Sequence, residues 1–81
     1  MPTLAQIKIG ESLVIKGIGS ELAIKKRLEE LGFLEGARID KLYVGLFGGP
    51  EAVRVGGSVI AVRRNDADKI YGDKLQQGEI Y

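Results

Sequence analysis

The chain has 81 residues, of which 44% are hydrophobic and 28% charged, and its 12 Lys and Arg stand against 11 Asp and Glu. This length and balance predict one small globular domain over residues 1–81, because a chain of this size can build only a single modest core. Since the sequence contains no Cys and no His, it excludes disulfide bonds, a thiol nucleophile, an imidazole base and a Cys or His zinc site.

The amino-terminal residues show no secretory signal pattern. The longest weakly polar run, residues 43–50, is far shorter than the ~20 residues of a membrane-spanning helix. The absence of cysteine is compatible with a reducing compartment. We therefore expect a cytosolic protein that does not insert directly into a membrane.

The first predicted elements are a strand over residues 12–16 and an amphipathic helix over residues 21–31. Ser20 is expected to cap this helix, and Ile24, Leu28 and Leu31 follow helical spacing on one face. Gly32 suits the left-handed residue that ends a helix, and Phe33 is then expected to fold back on Leu28 in a Schellman motif.

Three consecutive strands are predicted next. Residues 38–46 alternate with Leu42, Val44 and Leu46 on one face, and the phase of Ile39 differs from theirs, which indicates a bulge near Asp40 or Lys41. Glycine-rich turns at 48–50 and 56–57 lead to strands over 52–55 and 58–63.

Asn65 is expected to cap a short turn through Asp68 that carries Ala67 and Ile70 to the core, and residues 71–81 form a last weak strand or a tail. The chain is thus predicted to be mainly β with one principal α-helix, folded as a small curled antiparallel barrel.

Two groups of residues could in principle carry chemistry. Gly17, Gly19 and Ser20 precede the helix as a phosphate-binding loop would, but the sequence lacks the other residues of a P-loop or a dinucleotide loop. The acidic candidates have the spacing of neither a calcium loop nor an acid-base pair. They are Asp66, Asp68, Asp73, Glu29, Glu30 and Glu35. We therefore expect no catalytic residue, no cofactor and no metal site.

A basic surface is the third candidate, because small barrels can bind nucleic acid through such surfaces. Its candidate residues are Arg38, Lys41, Arg54, Arg63 and Arg64. The net charge of only +1 and the acids that follow each basic cluster favour a solvated surface, so no nucleic-acid partner is expected.

The run Leu31-Gly32-Phe33-Leu34 is the fourth candidate, because a turn cannot easily hide three large apolar side chains. Either this run forms a binding patch, or Leu31 and Phe33 lie in the core and only Leu34 is exposed. Burial decides between these alternatives, and the sequence leaves both open.

Several sequence pieces, in order and at fixed separations, resemble the FeoA family of bacterial ferrous iron uptake. They are Leu4-x-x-Ile7-x-x-Gly10-Glu11, Ile15-x-Gly17-Ile18, Lys26-Arg27-Leu28-x-x-Leu31-Gly32-Phe33-x-x-Gly36, Gly57-x-x-Ile60-Ala61-Val62-Arg63 and Asp66-Ala67-x-x-Ile70.

The resemblance implies an SH3-like barrel without enzymatic activity that supports the membrane transporter FeoB, which carries Fe²⁺ and has a GTPase domain. The same barrel type resembles the carboxy-terminal domain of iron-dependent repressors, so a metal-responsive regulatory domain is an alternative. By the resemblance, the partner-binding residues would be Arg27, Leu28, Leu31, Gly32, Phe33 and Leu34. Neither the resemblance nor the residues predict an oligomeric state.

Overall fold

A computed structural model describes residues 1–76 of the chain. These residues form the elements β1 (Ser12–Ile18), α1 (Leu22–Glu30), β2 (Arg38–Val44), β3 (Glu51–Val55), β4 (Ser58–Val62), α2 (Arg64–Ala67) and β5 (Ile70–Lys74). A 3-10 turn over Leu46–Gly48 connects β2 to β3. The last predicted strand is therefore present over 70–74, and its remainder beyond Gln76 lies outside the described residues.

The strands form one antiparallel sheet in the order β4-β3-β2-β1-β5. The amino-terminal segment lies along the outer edge of β5, because Thr3 bridges Tyr71 and the amide of Leu4 donates to the carbonyl of Ile70 at 2.8 Å. Within residues 1–76, β4 and β5 form no ladder with each other, so the sheet curls without closing. The mainly β prediction with one principal helix is confirmed.

A single hydrophobic core holds these elements together. All five strands, both helices and the amino-terminal segment contribute buried side chains to it, which the sheet achieves by curling around them. Phe33, Leu4 and Leu13 are among its largest fully buried members. Ala67 and Ile70 are also fully buried, as the sequence predicts.

Both predicted helix caps are wrong. Helix α1 begins at Leu22 with Glu21 at the N-cap position, so Ser20 lies one residue too early to bond the first-turn amides. Asn65 lies inside α2, whose N-cap position is taken by Arg63. Neither N-cap residue makes a side-chain capping hydrogen bond.

The predicted bulge in β2 is present, and the predicted carboxyl end of this strand is wrong. The pairing with β3 shifts between Lys41 and Tyr43, one residue beyond the predicted position. Before the bulge, Ile39 and Lys41 point inward and are buried. Because β2 ends at Val44, the side chain of Leu46 lies in the following turn and is 82% exposed, whereas the sequence placed it in the strand beside Leu42 and Val44.

The tight turn between β3 and β4 follows the prediction. Gly56 and Gly57 have φ values of 57° and 81°, and Val55 pairs directly with Ser58 across them. Two consecutive positive φ angles are what a two-residue type I′ hairpin requires.

Candidate functional site

The carboxyl end of α1 is fixed by its backbone. The amide of Phe33 donates to the carbonyl of Leu28 at 3.1 Å, and the amide of Gly32 donates to that of Glu29 at 3.0 Å. These two bonds, with Gly32 at φ 108°, constitute the predicted Schellman motif. The chain therefore leaves the helix in one defined direction.

Burial divides the predicted partner-binding residues into two sets. Leu28 and Phe33 are 2% and 0% exposed and belong to the core. Leu31 and Leu34 are 47% and 52% exposed, on either side of Gly32. We call Leu31 and Leu34 the leucine pair. The alternatives left open by the sequence thus resolve to an intermediate arrangement, in which Phe33 anchors the turn and the two leucines face outward.

The loop that carries the leucine pair is tied to β1. The amide of Gly36 donates to the carbonyl of Ile15 at 2.7 Å, and the amide of Ile15 donates back to the carbonyl of Ala37 at 2.9 Å. Within the loop, the amide of Ala37 donates to the carbonyl of Leu34 at 2.9 Å. These bonds hold Leu34 in place without burying its side chain.

Arg27 borders the leucine pair on the helix. Its guanidinium donates to Oδ2 of Asp66 at 2.9 Å, and the Arg27 side chain remains 54% exposed. A shallow groove runs from Arg27 and Leu31 toward Ala61 and Arg63 at the edge of the sheet. Leu31 of the leucine pair therefore also lines this groove, beside the charged side chains of Arg27 and Arg63.

Two of the predicted basic residues surround an acid. Arg38 Nε donates to Oδ1 of Asp40 at 2.9 Å, and an Arg54 guanidinium nitrogen lies 4.0 Å from Oδ2. Burial acts to raise the pKa of Asp40, but the hydrogen bonds from Ser12 and Arg38 outweigh it and hold that pKa below the usual 3.8. Both arginines are therefore partly neutralised.

Lys41 does not belong to the candidate basic surface, because its side chain is only 3% exposed. Its ammonium donates to the carbonyls of Leu4, Ala5 and Ile7 at 3.0, 3.2 and 2.8 Å, and lies 3.1 Å from Oε1 of Glu51. Neither oxygen of the Glu51 carboxylate receives a hydrogen bond of good geometry from the described residues. The ammonium thus holds the amino-terminal segment against β2 and neutralises a buried acid.

The remaining candidate groups do not converge. No group of three or more acids in the described part of the chain could hold a metal ion. Asp66 is bound by Arg27, and Asp73 lies 3.6 Å from the Lys16 ammonium. The Tyr71 ring packs so closely over Gly17 that a side chain there would collide with it.

No helical stretch of residues 1–76 has the length and apolarity needed to traverse a bilayer.

Comparison with known proteins adds family and fold. The family model described as FeoA domain matches residues 3–74. The crystal structure of Stenotrophomonas maltophilia FeoA, an SH3 domain protein complexed with zinc, is 27% identical, and the match covers 95% of this chain and 99% of that one with a TM-score of 0.80. No curated protein matches the chain in a direct search.

Two further structures extend the comparison. The solution structure of FeoA from Chlorobium tepidum is 29% identical over 99% of this chain and 76% of that one, with a TM-score of 0.86. A manganese-dependent transcriptional repressor is 16% identical over 91% of this chain and 41% of that one, with a TM-score of 0.82, which is a likeness of fold alone. The chain therefore has the SH3-like fold.

Proposed function

The chain belongs to the FeoA family, which is associated with ferrous iron transport, and from that membership we propose a cytosolic accessory protein that works by binding and without catalysis. Its proposed partner is the cytosolic side of an FeoB-type transporter. The docking surface is the carboxyl end of α1, with Arg27, Leu31 and Leu34 in contact and Leu28, Gly32 and Phe33 holding them in position.

The leucine pair carries this proposal. Two large apolar side chains, each about half exposed, stand on a backbone that the Schellman motif and the bonds to β1 hold fixed. Little conformational entropy is lost when such a preorganised pair becomes buried in a partner. Apolar anchors of this kind, surrounded by charged residues, are typical centres of protein interfaces.

Arg27 supplies the charged border. Because Asp66 already accepts its hydrogen bond, the guanidinium is oriented beside Leu31 while about half of it stays accessible. A partner carboxylate or carbonyl could bind it without first ordering a mobile side chain. This electrostatic contact favours correct orientation and faster association more than it adds affinity.

The experiment compares exposed leucines at the two ends of α1. Leu31→Asp and Leu34→Asp are tested for binding to the purified cytosolic domain of the transporter by calorimetry or pull-down. Leu22→Asp is the matched control, because Leu22 is 65% exposed at the opposite end of α1. We expect each variant in the leucine pair to weaken binding by about 2 kcal/mol, and the control to bind as the unmodified chain does.

Folding is checked first by circular dichroism and thermal unfolding. Since all three leucines are largely solvent-exposed, the variants should unfold within a few degrees of the unmodified chain. Folded Leu31→Asp and Leu34→Asp variants that bind the transporter domain with unchanged affinity would refute the proposed docking surface.

The nucleic-acid alternative loses support from the geometry. Lys41 is buried, and Arg38 and Arg54 both lie beside Asp40. Only Arg63 and Arg64 of the candidate set remain as exposed neighbours, which is too few for the steep salt dependence of a phosphate-binding surface. A retardation assay with DNA and RNA at low salt is expected to detect no shift.

A further inference from the structure

The turn between β2 and β3 exposes two large apolar side chains that the docking surface does not use. Leu46 is 82% exposed, and Phe47 is fully exposed. We call these two residues the hairpin tip. Glycines flank them on both sides, so no neighbouring side chain shields the tip from water. The two side chains project beyond the end of the sheet instead of lying on a flat face.

The backbone of this turn is held in an unfavourable conformation. Phe47 has φ 54° and ψ 42°, and it is the one residue other than glycine among residues 1–76 with a positive φ. The turn is closed by the amide of Gly45, which donates to the carbonyl of Pro50 at 2.8 Å, and by the amide of Gly49, which donates to that of Leu46 at 3.0 Å.

The Phe47 ring makes no buried contact within the folded chain. The left-handed conformation is unfavourable for a bulky residue, and a fully exposed ring gains no stabilisation from burial. Asparagine or glycine would fit the same turn with less strain. The ring is therefore better explained by a contact outside the chain than by folding.

Charge around the tip identifies the class of surface that it fits. Glu51 begins β3 directly after this turn and pairs with Val62, so Arg63 and Arg64 follow β4 at the same end of the sheet. Arg63 forms no ion pair with any acid of residues 1–76. Among residues 1–76, the one acid beside Arg64 is Glu51, at 4.0 Å, which is buried against Lys41.

We propose that the hairpin tip and the two arginines bind an anionic lipid surface. Leu46 and Phe47 would enter the interface between headgroups and acyl chains, and Arg63 and Arg64 would lie at the level of the phosphates. Apolar side chains on a narrow projection suit a fluid interface, whereas a protein partner needs a broader flat patch. Basic residues next to the projection match the negative charge of such a membrane.

The sequence predicts no direct insertion into a membrane because its weakly polar run over residues 43–50 is too short to span a bilayer, and it places Leu46 in a strand. The structure places that side chain in the turn, and this change motivates the proposal. The contact is peripheral and involves only two inserted side chains. The tip itself is separate from the leucine pair, since the tip precedes the amino end of β3, while Gly32 of the helix end lies near Val55 at the carboxyl end. Arg63 also lines the groove beside Leu31, so the two surfaces adjoin there.

A tryptophan reporter tests the proposal directly. The chain contains no Trp, so Phe47→Trp places a single indole in the hairpin tip. Val59→Trp is the matched control, because Val59 is 59% exposed on β4 near the opposite end of the sheet. Emission is recorded with vesicles of phosphatidylcholine mixed with phosphatidylglycerol, and with vesicles of phosphatidylcholine alone.

We expect the emission of Phe47→Trp to shift to shorter wavelength with the mixed vesicles, and that of Val59→Trp to stay unchanged. The shift should be lost in phosphatidylcholine alone and reduced by high salt. No shift for Phe47→Trp, an equal shift for Val59→Trp, or a shift that does not depend on the anionic lipid would overturn the proposal.

Vesicle sedimentation provides a second test without a reporter. Phe47→Asn keeps a residue that tolerates the left-handed conformation and removes the ring, so the turn is retained. We expect this variant to bind the mixed vesicles about tenfold more weakly, and Arg63→Ala about fivefold more weakly. Unchanged sedimentation of folded Phe47→Asn would exclude insertion of the tip, including insertion by a non-electrostatic route.

Discussion

The buried ammonium of Lys41 should be one of the most sensitive positions of the fold, and Lys41→Met tests this. The substitution conserves most of the side-chain volume but removes the charge that neutralises Glu51, which is itself 1% exposed. Leaving one member of a buried ion pair unpaired costs about 3–5 kcal/mol. A chain of 81 residues has a total unfolding free energy of about 4–12 kcal/mol, so this loss is a large fraction of it.

Replacing Lys41 and replacing Glu51 should lower the unfolding free energy by unequal amounts. When Glu51 is replaced by Gln, Lys41 still donates to the carbonyls of Leu4, Ala5 and Ile7. When Lys41 is replaced by Met, the Glu51 carboxylate loses its nearest cation and keeps only Arg64 at 4.0 Å among residues 1–76, and three buried or part-buried carbonyls lose a donor. Glu51→Gln should therefore cost about 1–3 kcal/mol, less than Lys41→Met.

Urea unfolding followed by circular dichroism measures both costs, with Arg54→Met as the control. Arg54 is 54% exposed and 4.0 Å from Asp40, so its replacement should change the unfolding free energy by less than about 1 kcal/mol. Hydrogen exchange should also show faster exchange of the Leu4 amide in Lys41→Met. The reasoning is refuted if Lys41→Met costs no more than Arg54→Met, or less than Glu51→Gln.

Three further changes test other contacts. The pKa of Asp40 in the folded chain lies below its usual value of 3.8, so the stability contributed by its contacts is present above that pH and is lost as the pH falls through the lower folded value. The urea concentration at the unfolding midpoint should therefore decrease when the pH is lowered below about 4, and it should decrease less in Asp40→Asn. Gly72→Ala should prevent stable folding, because the added Cβ would overlap the carbonyl of Val14. In Gly19→Ala the atom nearest to the added Cβ is 3.8 Å away, so its unfolding free energy should lie within about 1 kcal/mol of that of the unmodified chain. Gly32→Ala should lower the unfolding free energy by about 1–2 kcal/mol in the same assay, since φ 108° is unfavourable for alanine; an unchanged midpoint would contradict the strain argument.

Features that depend on neighbouring residues could be predicted from the sequence. The helix end required only a glycine at position 32 and an apolar residue after it, and both Schellman bonds are present. The two-residue turn between β3 and β4 required only Gly56-Gly57. In each case the backbone demand is met within a few residues, so no knowledge of distant contacts is needed.

Features that depend on distant contacts could not be predicted in the same way. Lys41 shares the inward phase of Ile39, and Glu51 shares that of Val53, but a charged residue in a strand is ordinarily interpreted as exposed. Only the pairing of β2 with β3 and the return of residues 4–7 bring a neutralising acid and three carbonyls to the ammonium. The exposure of Leu46 was missed because the end of β2 depends on that same pairing.

The candidate site lies between these cases. The sequence located the apolar run at the helix end, yet it could not assign each side chain to the core or to solvent. Phe33 is buried because the chain direction set by Gly32 points its ring inward, while Leu31 and Leu34 remain about half exposed. The partition follows from the geometry of one turn and becomes visible only when the core is assembled.

The placement of residues 2–4 along β5 has a consequence for biosynthesis. The amide of Gly72 donates to the carbonyl of Pro2 at 3.1 Å, so the amino-terminal segment is stabilised by residues that are translated much later. Until β5 has left the ribosome, this segment has no strand edge to pair with. The pairing must then wait for the synthesis of β5, and such distant pairings are intrinsically slow to form. A nascent chain stalled before residue 70 would expose Leu4, Ile7 and Leu13 to chaperones and proteases.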